Sequence, residues 1–95
     1  MTGWIYMMTN RPLGTLYVGV TNDIMRRAWE HRQGTGSRFA ARYRLKRLVY
    51  TERHEDIGDA IRRETRLKHW PRQWKVNLIE SQNPLWDDLY DRLIL

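Results

Sequence analysis

The sequence contains no cysteine. Disulfides are therefore excluded, and so is any zinc site built from thiolates. No apolar run approaches the roughly 18 residues that suggest a membrane span, so no membrane association is expected. The opening residues, MTGWIYMMTN, lack the basic start and the long apolar stretch of a secretory signal, and a cytoplasmic protein is expected. Proline is scarce, at three residues. There is no linker, no low-complexity segment and no internal repeat. At 95 residues, one domain spanning 1–95 is expected, with five Trp and five Tyr helping a small core bury apolar area.

Acids are few where bases are dense. The formal net charge is +6. Arg26, Arg27, Arg32, Arg38, Arg42, Arg44, Lys46 and Arg47 face a single acid in that stretch, Glu30. The sign reverses in the tail, at Glu80, Asp87, Asp88 and Asp91. Arginine's planar fork matches phosphate and stacks on bases. A nucleic-acid partner is expected, with Arg26, Arg38, Arg42, Arg44 and Lys46 as backbone contacts and Phe39 and Tyr43 available for bases.

Trp4–Met8 is rich in β-formers and reads as a strand. Asn10-Arg11-Pro12-Leu13-Gly14 supplies turn residues, and Thr15–Thr21 reads as a second strand. The pair predicts an antiparallel hairpin that brings Tyr6 and Tyr17 near each other. Gly19 implies a bulge or the close approach of another group. Asn22 is the expected N-cap of a helix running to about Gln33, with Ile24, Ala28 and His31 on one face. Gly34-Thr35-Gly36-Ser37 stops it. A short helical turn is expected within Arg38–Arg44, and a third strand within Leu45–Glu52. Asp56 opens the longest helical pattern. Ile57, Ala60, Ile61, Glu64 and Leu67 share one face there, with Arg62, Arg63 and Arg66 pointing away. Pro71 suits the first position of a further helix. Asn83-Pro84 closes it, and Leu85–Tyr90 packs back. The order is β-β-α-β-α-α.

Two constellations stand out. Glu64 is a carboxylate on an apolar face, which requires a partner. An arginine or a hard divalent cation would serve. Arg27 and His31 are four apart and share a helix face, and the hairpin brings Tyr6 and Tyr17 to the same region.

At these residues the sequence resembles the GIY-YIG nuclease superfamily. Trp4-Ile5-Tyr6 stands where that family has GIY, and Tyr17-Val18-Gly19 where it has YIG. TNDIMRR, the R-x-x-x-H helix and the later AIRRE follow in family order. The chain looks like the small single-domain branch, which is similar to the N-terminal nuclease domain of the nucleotide-excision-repair incision subunit. The resemblance implies an α/β (α+β) fold with a central three-stranded antiparallel sheet flanked by helices. It implies a metal-dependent endonuclease, with a role in DNA repair. It assigns Tyr6, Tyr17 and Arg27 to catalysis and Glu64 to the metal, Mg²⁺ or Mn²⁺. His31 fits a position where members carry His or Tyr. Asn83 matches a late Asn, with Asn77 as the other candidate. On this basis Tyr6 is the preferred general base, and DNA is favoured over RNA.

Two other readings stand beside the nuclease: a nucleic-acid-binding module of the same fold that does not cut, and a protein adaptor using the acidic tail and Trp86–Tyr90. Binding to an oligonucleotide is expected to weaken steeply as salt rises, as a fluorescence-anisotropy titration would register. Salt-insensitive association with a protein, and none with nucleic acid, would favour the adaptor.

Overall fold

The computed structural model describes residues 1–93. Strands β1 (Gly3–Thr9), β2 (Leu16–Thr21) and β3 (Arg47–His54) form one antiparallel sheet in the order β2-β1-β3. Around it lie α1 (Ile24–Gln33), α2 (Arg38–Arg42), α3 (Ile57–His69), α4 (Arg72–Gln82) and the short α5 (Tyr90–Leu93). The α+β class and the order of elements agree with the sequence reading. Among the described residues no helix is long and apolar enough to cross a membrane.

β1 is the central strand and is covered on both sides. Successive side chains of a strand point to opposite faces. Ile5 and Met7 join Val18, Ala60, Leu67 and Ile79 beneath α3 and α4. Tyr6 and Met8 join Ile24, Ala28, Ala40 and Leu48 beneath α1 and α2. The hairpin pairs Tyr6 with Gly19 and Met8 with Tyr17. A Cβ at Gly19 would enter the Tyr6 ring, so this glycine serves close approach. The register irregularity falls elsewhere, between Met7 and Met8 where β1 meets β3.

Two local expectations shift. Asp23, not Asn22, caps α1: its carboxylate accepts from the Arg26 N–H at 3.1 Å. The Thr21 hydroxyl accepts the Asp23 N–H at 3.1 Å, which moves the start of the helix one residue on. On α3, Ile61 was expected inward but is 49% exposed. The buried residues of this helix are Ala60 and Leu67. One residue is about 100° of turn, so Glu64 and Arg63 flank that line on opposite sides while Ile61 falls outside it. Arg63, expected outward, forks onto Glu52 of β3 at 3.1 and 3.3 Å and lies over the Trp70 ring.

α4 begins just after Pro71, which stands at the N-cap. Its end is tied to β3 by Asn83. The Asn83 amide donates to the Val49 and Asp87 carbonyls at 3.1 and 2.9 Å, and its oxygen accepts the Asp87 N–H at 3.0 Å. The segment that follows packs back as expected, with Trp86 buried. Asn83→Ala would leave the buried Val49 carbonyl without this partner and release the Asp87 backbone. Urea unfolding is expected to show a loss of about 2 kcal/mol, and a loss below about 0.5 kcal/mol would remove this structural role.

Candidate functional site

The hairpin and α1 build one polar cluster against the sheet. Tyr6 is 1% exposed, and its hydroxyl oxygen accepts from Arg27 Nε at 3.3 Å. The same hydroxyl lies 3.1 Å from His31 Nε2. Because Arg27 already donates to the phenol oxygen, the phenol proton is best satisfied by a neutral His31 accepting at Nε2. Arg27 also reaches Glu30 Oε1 at 3.3 Å, a pair at i,i+3 spacing on α1. The ring centroids of Tyr6 and Tyr17 are 6.1 Å apart, and each ring is within 5.5 Å of His31. Gly36 closes over the imidazole, since a Cβ there would lie 2.5 Å from His31 Nδ1.

Electrostatics within the cluster follow from burial. Burial pushes the Tyr6 phenol well above its usual value, and the Arg27 hydrogen bond only partly offsets this. The Arg27 guanidinium is itself held more firmly protonated, first by the Tyr6 bond. Burial, and then the charge on Arg27, lower the pKa of His31 to about 4. At neutral pH the site therefore holds one fixed cation, a neutral imidazole and a buried, protonated phenol.

Tyr17 connects this cluster to solvent. It lines an open cleft of about 320 Å³ together with Leu16, Val18, Phe39, Lys68 and Lys75. Phe39 stacks on Tyr17 with centroids 6.3 Å apart. Phe39 meets Tyr43 at 4.8 Å, and Arg42 lies over Tyr43 at 5.6 Å. Phe39 and Tyr43 are each 45% exposed, so a run of aromatic rings leads outward from the cleft. Arg26, Arg38, Arg42, Arg44 and Lys46 are exposed. Three other bases of the same stretch are held internally: Arg27 in the cluster, Arg32 by Asp88 at 2.7 Å, and Arg47 by the Trp86 carbonyl at 2.9 Å.

Glu64 does not sit on the phenol side of the sheet. It belongs to α3, which packs on the opposite face. The connection runs around the edge of β2, the outer strand at this end. Lys68 lines the Tyr17 cleft and pairs with Glu64 at 3.3 Å. Glu64 is 16% exposed at its side chain and Lys68 is 50% exposed, so the carboxylate's partner is a flexible lysine at the cleft rim. No group of three or more metal-ligating side chains exists among the described residues. The donor set suits a hard cation that keeps waters and shares substrate phosphate, because one carboxylate suffices for that mode. Asn83 is not joined to this cluster by any of its hydrogen bonds, and Asn77 accepts from Gln73 at 2.9 Å on an exposed face of α4.

Of the expected site residues, Tyr6, Tyr17, Arg27 and His31 come together and Glu64 stands at the cleft rim, while Asn83 lies apart; Lys68 and Lys75, which line the cleft, were not among those expected. The Lys68 pairing was readable as i,i+4 to Glu64. Lys75 depends on how α4 is set against β2 and has no local signal.

His31 gives the cluster a pH signature. Its folded pKa of about 4 lies below the unfolded value near 6.5, so the unfolded chain binds more protons between them. The stability tied to this group is complete above about pH 6.5 and is lost as pH falls toward 4. His31→Gln is expected to flatten the decline in thermal midpoint across that window. An equal decline in the variant would show that other groups carry it.

Known proteins share the sequence pattern and the fold of this chain. The GIY-YIG catalytic domain family matches residues 2–77. UPF0213 proteins from Staphylococcus aureus strains Mu3 and Mu50 are 35% identical over 69 residues, covering 73% of this chain and 84% of each relative. A UPF0213 protein from Bacillus halodurans, solved by solution NMR, superimposes with a TM-score of 0.55 at 26% identity, over 93% of each chain. A nuclease-type catalytic fold acting on nucleic acid follows from the family match. The chain belongs to the GIY-YIG catalytic domain family.

Proposed function

We propose that this chain is a divalent-metal-dependent endonuclease that hydrolyses phosphodiester bonds, with DNA favoured over RNA. The observation that carries the reading is the Tyr6–Arg27–His31–Tyr17 cluster opening at Tyr17 into a cleft whose rim holds the Lys68–Glu64 pair. Glu64 would hold Mg²⁺ or Mn²⁺, with Lys68 as the counter-ion that yields to it. Such an ion, when bound, supplies Lewis acidity toward phosphate oxygens.

The chain's own residues divide the remaining work. Arg27 is restrained by Tyr6 and Glu30, which orders its fork toward negative charge that develops on the phosphorus oxygens. Tyr17 presents its hydroxyl to the cleft and is the better general base of the two tyrosines: as the phenolate it would hold the attacking water and take its proton, becoming the phenol. Tyr6, preferred on the sequence alone, has its oxygen already engaged by Arg27 and His31. Burial also opposes its ionisation. Its role in this reading is to position Arg27. The exposed arginines and Lys46 contact flanking phosphates, and Phe39 and Tyr43 offer faces on which bases stack. The adaptor reading loses support, because Asp88 and Asp87 pair with Arg32 and Arg92 and Glu80 accepts from the Trp86 indole.

Plasmid nicking and oligonucleotide cleavage, on DNA and RNA and with Mg²⁺, Mn²⁺ or EDTA, test the proposal. Glu64→Ala and Arg27→Ala are expected to lower the rate about 100-fold or more while keeping the fold by circular dichroism. Tyr17→Phe should cost more than Tyr6→Phe. Full activity in EDTA, or in Glu64→Ala, would remove the metal role. A larger loss in Tyr6→Phe would return the base to Tyr6.

A further inference from the structure

Two lysines line the cleft beside Tyr17, and their charges are not equivalent. Lys68 is opposed by Glu64. Lys75 forms no ion pair among the described residues, although it is partly buried. Withdrawing an ammonium group from water without an anion beside it is unfavourable. The cost shows in the direction of its pKa, which is lowered first by burial and then by the nearby charge on Arg72. Such a group gains from an anionic ligand.

Its placement is fixed from both sides. One helical turn earlier, Arg72 donates to the Leu13 and Gly14 carbonyls at 2.7 and 2.8 Å, which clamps the start of α4 to the turn leading into β2. The next residue, Val76, is buried in the core. The start of α4 is therefore anchored at the turn before β2, and the Lys75 side chain lines the cleft with Leu16, Tyr17 and Val18, where its apolar stem can lie against them while its head stays wet.

We infer that Lys75 binds a non-bridging oxygen of the phosphodiester held beside Tyr17, and so is a further catalytic residue. This rests on the nuclease reading above. The lysine approaches from α4, on the face of the sheet opposite the helix that carries Arg27. The two cations then grip the phosphate from different directions, which orients it toward the Tyr17 phenol. The role asks only for a positive charge at that place. It does not ask the lysine to lose its proton.

Two variants separate charge from packing and from proton transfer. Lys75→Met keeps an apolar stem and removes the charge. Lys75→Arg keeps the charge but cannot act as a base. The single-turnover cleavage rate at saturating DNA is expected to fall about 100-fold in Lys75→Met and to stay within about tenfold of the parent in Lys75→Arg, with thermal midpoints nearly unchanged. Binding in EDTA gives a second readout. An oligonucleotide with an uncharged methylphosphonate at the mapped cleavage position should bind the parent protein more weakly than the all-phosphate strand. Lys75→Met should bind the two alike. The inference is overturned if Lys75→Met cleaves within about threefold of the parent, if Lys75→Arg is no better than Lys75→Met, or if both proteins discriminate against methylphosphonate equally. Failure of the parent protein to cut any substrate would remove the nuclease reading and this lysine's role with it, whereas parent activity with an unaffected Lys75→Met removes the lysine alone.

Discussion

A strand edge left open on one side of the sheet governs where chemistry can occur in this molecule. Helices cover both faces, so side chains on opposite faces can meet only around an edge. The outer edge of β3 is covered at its start: the Leu89 N–H donates to the Leu48 carbonyl at 2.7 Å, and the Leu48 N–H donates to Asp88 at 3.2 Å. β2 carries the cleft instead. Tyr17 on one side and the Lys68–Glu64 pair on the other thus share a single opening, although the helices that position Arg27 and Glu64 lie on opposite faces.

The basic character of the chain resolves into two populations. Arg27, Arg32, Arg47 and Arg63 are fastened to Tyr6, Asp88, the Trp86 carbonyl and Glu52. They order the hairpin, the C-terminal segment and α3. The second population, from Arg26 to Lys46, is exposed. Net charge alone cannot distinguish them, because an internally paired arginine and an exposed one contribute the same integer. The partition depends on which acids the fold delivers. The tail acids that looked like an outward patch are in part turned inward to meet it.

Much of the site was legible because it is built from short-range patterns. The hairpin turn fixes which tyrosines approach, and the i,i+4 spacing of Arg27 and His31 fixes a helix face; both held. Glu64 was placed correctly on the inner side of α3, although its neighbour Ile61 was not. The axis of a buried stripe is set by what the helix packs against. Ala60 lies opposite Gly3 and Leu67 opposite the core, and these contacts rotate the stripe away from Ile61 and toward Arg63. Gly19 illustrates the same limit. The sequence marks it as unusual, and only the ring above it says why. The difference between Tyr6 and Tyr17 in burial, and the arrival of Lys75 from α4, depend on packing between distant elements and left no local trace.

The open edge has a further consequence. Unpaired backbone groups along an outer strand are a template for addition of a strand from another chain. The start of β3 is protected by the chain's C-terminal segment, but β2 must stay accessible if the cleft is to work. Lys68 and Lys75 stand beside it, and charge at a sheet edge discourages such pairing. The positive groups proposed to meet a polyanion thus also guard the strand against self-association. Neutralising them would expose the molecule to edge-to-edge aggregation as well as altering what it holds.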